Sequence, residues 1–241
     1  MQFTDSHIHL QDYKEKNMQQ IVKNMQNLGF AKAICASSNP CDWNKIAQLA
    51  QNNPDFVIPA FGVHPWCVNE TPPNMQSELI VYLKKFPNAL IGECGLDKLK
   101  ADFYGLQEQI FISQVEIAEK YGRALCIHAL KANNQIESVL SKKNVKFMIH
   151  AFGGSIEFLH NILKMGGYIS ISEAICRKKN HVDIISQIPL NRLLSESDGP
   201  YMSDFEKISN FISYVAKIKN IDKIALTEQI YHNFEEFCGV K

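Results

Sequence analysis

Short apolar segments alternate with longer segments of helical periodicity along the chain, and this alternation constrains the fold more than any other feature. The segments with the character of strands are Gln2–His9, Ala31–Ser37, Phe56–His64, Ala89–Glu93, Ala124–His128, Val145–His150, Tyr168–Ser172 and Arg192–Asp198. Helical patterns separate them near residues 17–28, 42–52, 75–86, 105–121, 132–142, 155–165 and 181–187, and two more follow near 205–218 and 224–236. Strands that alternate with helices in this way predict a parallel sheet.

Eight such strands are the number that closes a (β/α)₈ barrel. We therefore predict an α/β fold, a single (β/α)₈ TIM barrel over residues 1–241 with an additional C-terminal helix. The length of 241 residues suits this fold, because α/β barrels of roughly 200–250 residues form one domain. A doubly wound open sheet is the alternative, although no Gly-x-Gly-x-x-Gly turn follows the first strand to indicate its dinucleotide-binding version.

Composition excludes several other classes of protein. The chain is 46% hydrophobic and 21% charged, as soluble globular proteins are. Its apolar runs are far shorter than the ~20 residues that a membrane span needs, and its first residues lack the basic and apolar parts of an export signal. The 7 cysteines include no Cys-x-x-Cys pair, which predicts reduced thiols in a cytoplasmic protein. A net charge of +0 argues against a protein that wraps nucleic acid and leaves a local basic patch open.

Side chains that can bind a metal collect where the predicted strands end. In chain order the ends carry His7 and His9, Ser37, His64, Glu93, His128, His150, Ser172 and Glu173, and Glu196 and Asp198. In α/β folds the carboxyl ends of parallel strands form the edge at which active sites are built. Because residues i and i+2 of a strand share a face, the two side chains of His7-x-His9 point the same way.

Four histidines (His7, His9, His128 and His150) with Glu93 and Asp198 exceed the three protein ligands that one catalytic metal usually takes. Two metals bridged by a carboxylate would use all six and could activate water for a displacement at phosphorus or carbon. Imidazole-rich ligation favours Zn²⁺ or Mn²⁺ over Mg²⁺ and leaves the identity of the ion open. Any one of these histidines could instead be a hydrogen-bonded core residue, but a set at one edge would need a partner for every buried ring. The histidines in helical patterns are interpreted as surface or packing residues: His160, His181 and His232.

Several motifs of the chain resemble those of a known family, in that family's order. They are Asp5-Ser6-His7-Ile8-His9-Leu10, Gly62-Val63-His64-Pro65, Ile91-Gly92-Glu93-Cys94-Gly95-Leu96-Asp97, Ile127-His128, His150-Ala151-Phe152-Gly153-Gly154-Ser155 and Ser195-Glu196-Ser197-Asp198-Gly199-Pro200-Tyr201. From residue 3 to about 202 the chain resembles the TatD-type metal-dependent hydrolases, the TatD-family deoxyribonucleases of the amidohydrolase superfamily.

The resemblance implies two divalent metal ions (Zn, Mn or Mg) and a ligand set for each. The sets it implies are His7, His9 and Asp198 for one ion, His128 and His150 for the other, and Glu93 as the bridge between them. Asp198 and Glu93 would be catalytic, with Asp198 orienting or deprotonating the attacking water. His64 corresponds to a histidine near the site, and we assign it to substrate or leaving-group contact. Glu196 would orient a ligand or, alternatively, form an ion pair inside the barrel.

Basic residues in the predicted βα loops could bind a nucleic acid backbone. They are Lys98, Lys100, Lys131 and the run Arg177-Lys178-Lys179, of which we assign Arg177 and Lys178 to substrate binding; a solvated loop is the alternative for the run. Trp66 and Phe152 follow ligand strands and could stack a terminal base or pack beneath the loops. Three features depart from the family: Leu130 stands where many members have arginine, Lys98 stands where an aromatic residue is common, and the usual Pro- and Arg/Gly/Asn-rich segment after Tyr201 is missing.

These observations predict a metal-dependent hydrolase that acts on ester bonds, a DNA phosphodiesterase that removes nucleotides from DNA ends. The same centre could hydrolyse a carboxylic ester or amide, as in aminoacyl-tRNA deacylation, and a non-catalytic, metal-stabilised barrel is a further alternative. We expect nucleic acid and no membrane as a partner. The sequence leaves the physiological substrate, the polarity of cleavage and the oligomeric state open.

Overall fold

The computed structural model describes residues 1–13 and 17–240, and its strands follow the predicted chain order. They are β1 (Phe3–Ile8), β2 (Phe30–Ala36), β3 (Val57–Ala60), β4 (Ile91–Asp97), β5 (Leu125–Leu130), β6 (Phe147–Ile149), β7 (Tyr168–Ile171) and β8 (Leu193–Ser195). Two parallel ladders result, β1-β2-β3 and β4-β5-β6-β7-β8. The parallel pairing is the one that strands alternating with helices predict.

Backbone hydrogen bonds join the two ladders at both seams. Between β3 and β4, the amide of Phe61 donates to the carbonyl of Leu90 at 3.1 Å. Between β8 and β1, the amide of Asp198 donates to the carbonyl of His7 at 2.9 Å. The strands therefore close into a (β/α)₈ barrel, and the open doubly wound sheet is excluded.

Helices follow the strands and cover the outside of the barrel. They are α1 (Met18–Asn27), α2 (Trp43–Asn52), α3 (Met75–Lys85), α4 (Tyr104–Tyr121), α5 (Asn133–Leu140), α6 (Ile156–Lys164), α7 (His181–Gln187), α8 (Ile208–Lys219) and α9 (Lys223–Cys238). In α6 the hydroxyl of Ser155 caps the helix by accepting from the amide of Phe158 at 3.1 Å, and the buried face begins at that residue. No helix within residues 1–13 and 17–240 is long and apolar enough to cross a membrane.

The last helix, α9, closes one end of the barrel. Its Phe234 and Phe237 are buried with the apolar side chains of the barrel interior, among them Cys126 and Met148. The side-chain Nδ2 of Asn233 donates to the carbonyl of Leu193 at 2.8 Å, which connects α9 to the start of β8. The amino-terminal end of the barrel is thereby filled, and the carboxyl end remains for the loops that follow the strands.

Three strands end three or four residues away from the predicted position. The strand predicted over Phe56–His64 pairs with its neighbours only over β3, Val57–Ala60. The strand predicted over Arg192–Asp198 is shortened to β8, Leu193–Ser195. Asp198 has φ +52°, a left-handed conformation that cannot continue a strand. The strand predicted to stop at Glu93 continues to Asp97, because Gly95 lets β4 approach β5 closely. A Cβ there would lie 2.0 Å from the carbonyl oxygen of His128, so the glycine that weakens the strand signal is needed for the pairing.

Candidate metal centre

The six side chains predicted as ligands converge at the carboxyl end of the barrel. His7 lies in β1 and His9 directly after it, Glu93 lies in β4, His128 in β5, His150 directly after β6, and Asp198 in the segment after β8. All are buried except His128, whose side chain is 17% exposed. The shared face of His7 and His9 is confirmed, because their Nε2 atoms are 3.2 Å apart.

Glu93 is at the middle of this cluster, and its two carboxylate oxygens face different histidines. Oε2 lies 3.2 Å from Nε2 of His7 and 3.3 Å from Nε2 of His9. Oε1 lies 2.7 Å from Nε2 of His150 and 2.9 Å from Nδ1 of His128. Each oxygen of the carboxylate therefore faces a different pair of histidines.

Asp198 completes the group around Oε2 of Glu93. Its Oδ1 atom lies 3.5 Å from Nε2 of His9 and 3.9 Å from Nε2 of His7. Asp198, three residues after the end of β8, has a left-handed backbone conformation, and its carboxylate belongs to the cluster. Strain of this kind costs about 1–3 kcal/mol and persists where the surrounding structure enforces it.

The donor atoms suit divalent metal ions. Among the described residues, three groups of His, Asp and Glu bring one donor atom each within 4.8 Å of one another: His7, His9 and Asp198; His7, Glu93 and His150; His64, Glu93 and His128. The Nε2 atoms of His7 and His9 face each other at 3.2 Å, which requires either a proton shared between them or a cation that both can bind. In the part of the chain that the structure describes, every ion pair of Glu93 is with a histidine, so no lysine or arginine neutralises this carboxylate. A bound cation would satisfy the nitrogens and the carboxylates together.

The titration of the cluster follows from burial and mutual attraction. Burial raises the pKa of Glu93, but attraction to His150, His64 and His7 outweighs it and holds this pKa well below its usual value. Burial lowers the pKa of His9, but its bonds to Asp198 and Glu93 outweigh that effect and raise the pKa to about 10. The carboxylates are therefore ionised, and a metal ion at His9 has to displace a proton.

Two further carboxylates stand behind the histidines of β5 and β6. Glu196 accepts the amide of Ala151 at 2.5 Å and the hydroxyl of Ser170, and its Oε1 lies 3.7 Å from Nδ1 of His150. Asp97 is buried at the end of β4, with Oδ2 3.6 Å from Nε2 of His128. For Glu196 the sequence predicts either an orienting role or an ion pair inside the barrel, and for Asp97 it predicts no role in the site. A carboxylate behind a metal-ligating histidine fixes the orientation and the tautomer of its ring.

His64 lies at the edge of the same cluster, with Nε2 3.2 Å from Oε1 of Glu93. Its other ring nitrogen, Nδ1, accepts the amide of Trp66 at 3.1 Å. Burial lowers the pKa of His64 and favours the neutral ring. A neutral ring that accepts at Nδ1 carries its proton on Nε2, so His64 presents an N–H group to the cluster.

The predicted substrate residues Arg177 and Lys178 lie on the rim, in the loop after β7, and do not contact the cluster. A guanidinium nitrogen of Arg177 donates to the carbonyl of Met202 at 3.4 Å, and Nζ of Lys178 donates to that of Gly153 at 2.5 Å. Both reach across to neighbouring loops of the catalytic face. The chain turns into the next helix at Phe205, so the connection after β8 is as short as the sequence predicts.

Of the two aromatic residues considered for stacking, only Trp66 offers an exposed ring. Phe152 is buried against Phe158, with the rings stacked at 5.8 Å between centroids. Trp66 is 56% exposed, and Nζ of Lys100 lies 5.1 Å from the centroid of its ring. Of the three histidines predicted in helices, His181 begins α7 beside this rim, with Nδ1 2.6 Å from the carbonyl oxygen of Lys178 and Nε2 2.6 Å from the hydroxyl of Tyr214, so it is a packing residue.

A closed (β/α)₈ barrel with a His, Glu and Asp cluster at the carboxyl ends of its strands defines a metal-dependent hydrolase by class. Comparison with known proteins makes the assignment specific. The family model for TatD related DNase matches residues 4–239, and the chain belongs to this family.

Relatives and solved structures agree with this family. The chain is 25% identical over 246 residues to an uncharacterized metal-dependent hydrolase of Methanocaldococcus jannaschii, covering 98% of this chain and 97% of that protein. It is 28% identical over 191 residues to the 3′-5′ ssDNA/RNA exonuclease TatD of Pantoea vagans, covering 76% of this chain and 74% of that protein. The crystal structure of a TatD homologue from Escherichia coli superposes with a TM-score of 0.91 at 20% identity, over 99% of this chain and 98% of that chain. The last likeness confirms the fold.

Proposed function

We propose that this protein is a DNA phosphodiesterase that removes nucleotides from DNA ends with the help of two divalent metal ions. The observation that carries the proposal is the Glu93 carboxylate, each oxygen of which faces its own group of histidines. Two ions some 3.5–4 Å apart are the common device for displacement at phosphorus, because they hold the attacking and the leaving oxygen. The family, and a relative named as an ssDNA/RNA exonuclease, support a nucleic acid as the substrate.

Each ion would have its own ligands in this proposal. His7, His9 and Asp198 would hold one ion, His128 and His150 the other, and Glu93 would bridge the two. The nitrogen-rich set favours Zn²⁺ or Mn²⁺ over Mg²⁺, which prefers oxygen ligands.

Asp198 is the residue we propose to accept the proton of the attacking water. Bound divalent ions would lower the pKa of such a water and polarise the phosphodiester. Oδ1 of Asp198 faces His9 and His7, while Oδ2 forms no ion pair among the described residues. The free oxygen can therefore receive a proton at the mouth of the barrel. On the other side of Glu93, the Nε2–H group of His64 can donate a hydrogen bond to the leaving oxygen.

The rim supports a substrate with a negatively charged backbone. Arg177 and Lys178 would each contact a phosphate, and such contacts make affinity depend on salt. The exposed ring of Trp66 lies beside His64, with 5.2 Å between the ring centroids, and could stack a terminal base. The two phosphate contacts and the one stacking contact proposed here would hold a few nucleotides, which suits the end of a DNA strand.

The test is an assay of purified protein reconstituted with Zn²⁺ or Mn²⁺, with single-stranded DNA labelled at the 3′ or the 5′ end. Release of mononucleotides that a chelator abolishes, and that Asp198→Asn lacks, would establish the activity and the end attacked. Asp198→Asn also serves as the control for a contaminating nuclease.

If a protein that binds two ions released no nucleotide, the proposal would be wrong in its substrate. Ester and aminoacyl-tRNA substrates would then be tested with the same two proteins. A metal-stabilised barrel without activity predicts a different result, because Asp198→Asn would then lower stability while no substrate is turned over.

A further inference from the structure

Trp66 uses its only polar side-chain group, the indole N–H, to form a hydrogen bond with a buried carboxylate, although its ring lies at the surface. It belongs to the short 3-10 helix Pro65–Glu70 that follows β3, and its ring is 56% exposed. Its indole Nε1–H donates to Oδ2 of Asp97 at 2.5 Å. An exposed indole could donate this hydrogen to water instead, so the contact with Asp97 connects the rim to the interior of the site.

Asp97 is held from three sides. Its Oδ1 atom accepts the amide of Leu99 at 2.9 Å, and its own amide donates to Oε1 of Gln107 at 2.9 Å. Oδ2 takes the indole of Trp66 and lies 3.6 Å from Nε2 of His128. The indole is therefore the one side-chain donor within hydrogen-bond distance of this oxygen among the described residues.

His128 stands between two carboxylates. Nε2 faces Asp97, and Nδ1 lies 2.9 Å from Oε1 of Glu93. The carboxylate behind the ring favours the tautomer with the proton on Nε2, which leaves the lone pair of Nδ1 directed into the cluster. The orientation of Asp97 thus decides which nitrogen of His128 can bind an ion.

We propose that Trp66 is a positioning residue of the metal centre: its indole N–H fixes Asp97, and Asp97 holds His128 with Nδ1 toward the metal ion on the Oε1 side of Glu93. This inference rests on the two-metal centre of the proposed function. It predicts that loss of the indole N–H weakens the binding of one ion and leaves the other, at His7 and His9, unchanged.

Three variants separate this role from packing and from substrate contact. Trp66→Phe keeps an aromatic ring and removes the N–H, and Asp97→Asn keeps the shape and removes the charge. Phe103→Leu is the matched control, because Phe103 is also aromatic and exposed on this rim and makes no hydrogen bond to Asp97. Circular dichroism would establish that each variant is folded.

Zn²⁺ alone would be titrated calorimetrically into each metal-free protein, and hydrolysis of labelled DNA would be measured on the loaded proteins. We expect two Zn²⁺ ions in the wild type, about a 10-fold loss of affinity for one of them in Trp66→Phe, and a 10- to 100-fold loss in Asp97→Asn. Phe103→Leu should bind Zn²⁺ with the affinity of the wild type. For Trp66→Phe we expect a lower kcat at limiting Zn²⁺. Its KM for DNA, measured at saturating Zn²⁺, should change less.

A spectroscopic readout on the wild type does not depend on the variants. In ¹⁵N-labelled protein the indole N–H signal of Trp66 should move when the Zn²⁺ ion near His128 binds. Wild-type affinity for both ions in Trp66→Phe, or an indole signal that does not move, would overturn the inference. A wild type that binds two ions and does not hydrolyse DNA would instead contradict the proposed activity and leave the role of Trp66 intact.

Discussion

Substitution of Glu93 by glutamine tests the bridge directly. The amide has the shape of the carboxylate but no charge, and one of its ends is an NH₂ group that cannot bind a metal ion. Because one oxygen faces His7 and His9 and the other faces His128 and His150, the change reaches both groups of histidines at once. We expect Glu93→Gln to lose both ions, whereas the loss of a ligand that belongs to one ion would release only that ion.

The size of the effect follows from burial. Glu93 is 2% exposed, and removal of one partner from a buried charge pair costs about 3–5 kcal/mol. At about 1.4 kcal/mol for each factor of ten, the affinity for each ion should fall about 10²- to 10⁴-fold. Hydrolysis should fall with it, because the attack needs both ions in place.

The assay combines metal content after dialysis, calorimetric titration with Zn²⁺ and release of nucleotides from labelled DNA. Glu173→Gln is the matched control, because Glu173 lies on the same face, is exposed, and pairs with Lys207 at 3.2 Å outside the cluster. It should bind two ions and remain active. A Glu93→Gln protein that kept two ions with wild-type affinity would refute the bridging geometry.

Three further predictions concern the rim, the protons of the site and the closed end of the barrel. Lys178→Ala should raise the KM for DNA and lower the slope of log affinity against log salt by about 0.7, with kcat unchanged, in assays at several salt concentrations. The affinity for Zn²⁺ should rise from pH 6 to pH 8 in calorimetric titrations, because the raised pKa of His9, about 10, means that binding displaces a proton. Phe234→Ala should destabilise the fold by about 3–5 kcal/mol and lower the Tm by roughly 10 °C, while Ile224→Ala, on the exposed side of the same helix, should leave both unchanged.

Much of the site could be predicted because its residues obey local rules. The period of two along a strand places His7 beside His9, and parallel strands bring their carboxyl ends to one edge. These two facts gather the six predicted ligands without any knowledge of the loops. The barrel itself follows from the number of strands and their alternation with helices.

The rest depends on contacts between residues distant in sequence. Nothing near Trp66 in the chain indicates that its indole bonds to Asp97, 31 positions away. The spacing of Phe234 and Phe237 predicts a buried helix face but not that this face fills the end of the barrel. The continuation of β4 through Gly95 was missed for a related reason, because the close approach to β5 that requires a glycine is a property of the pair of strands.

The division of the barrel into two ladders affects the stability of the protein as well as its chemistry. His7 and His9 belong to the first ladder, and the other proposed ligands belong to the second or follow it. Bound ions would therefore brace the seam between β8 and β1, where the backbone alone supplies few bonds. At a concentration 100 times its Kd, each ion would add about 2.7 kcal/mol to the free energy of unfolding. Amide hydrogens at that seam should exchange faster in the metal-free protein, and a cell short of metal would keep fewer folded copies of the protein.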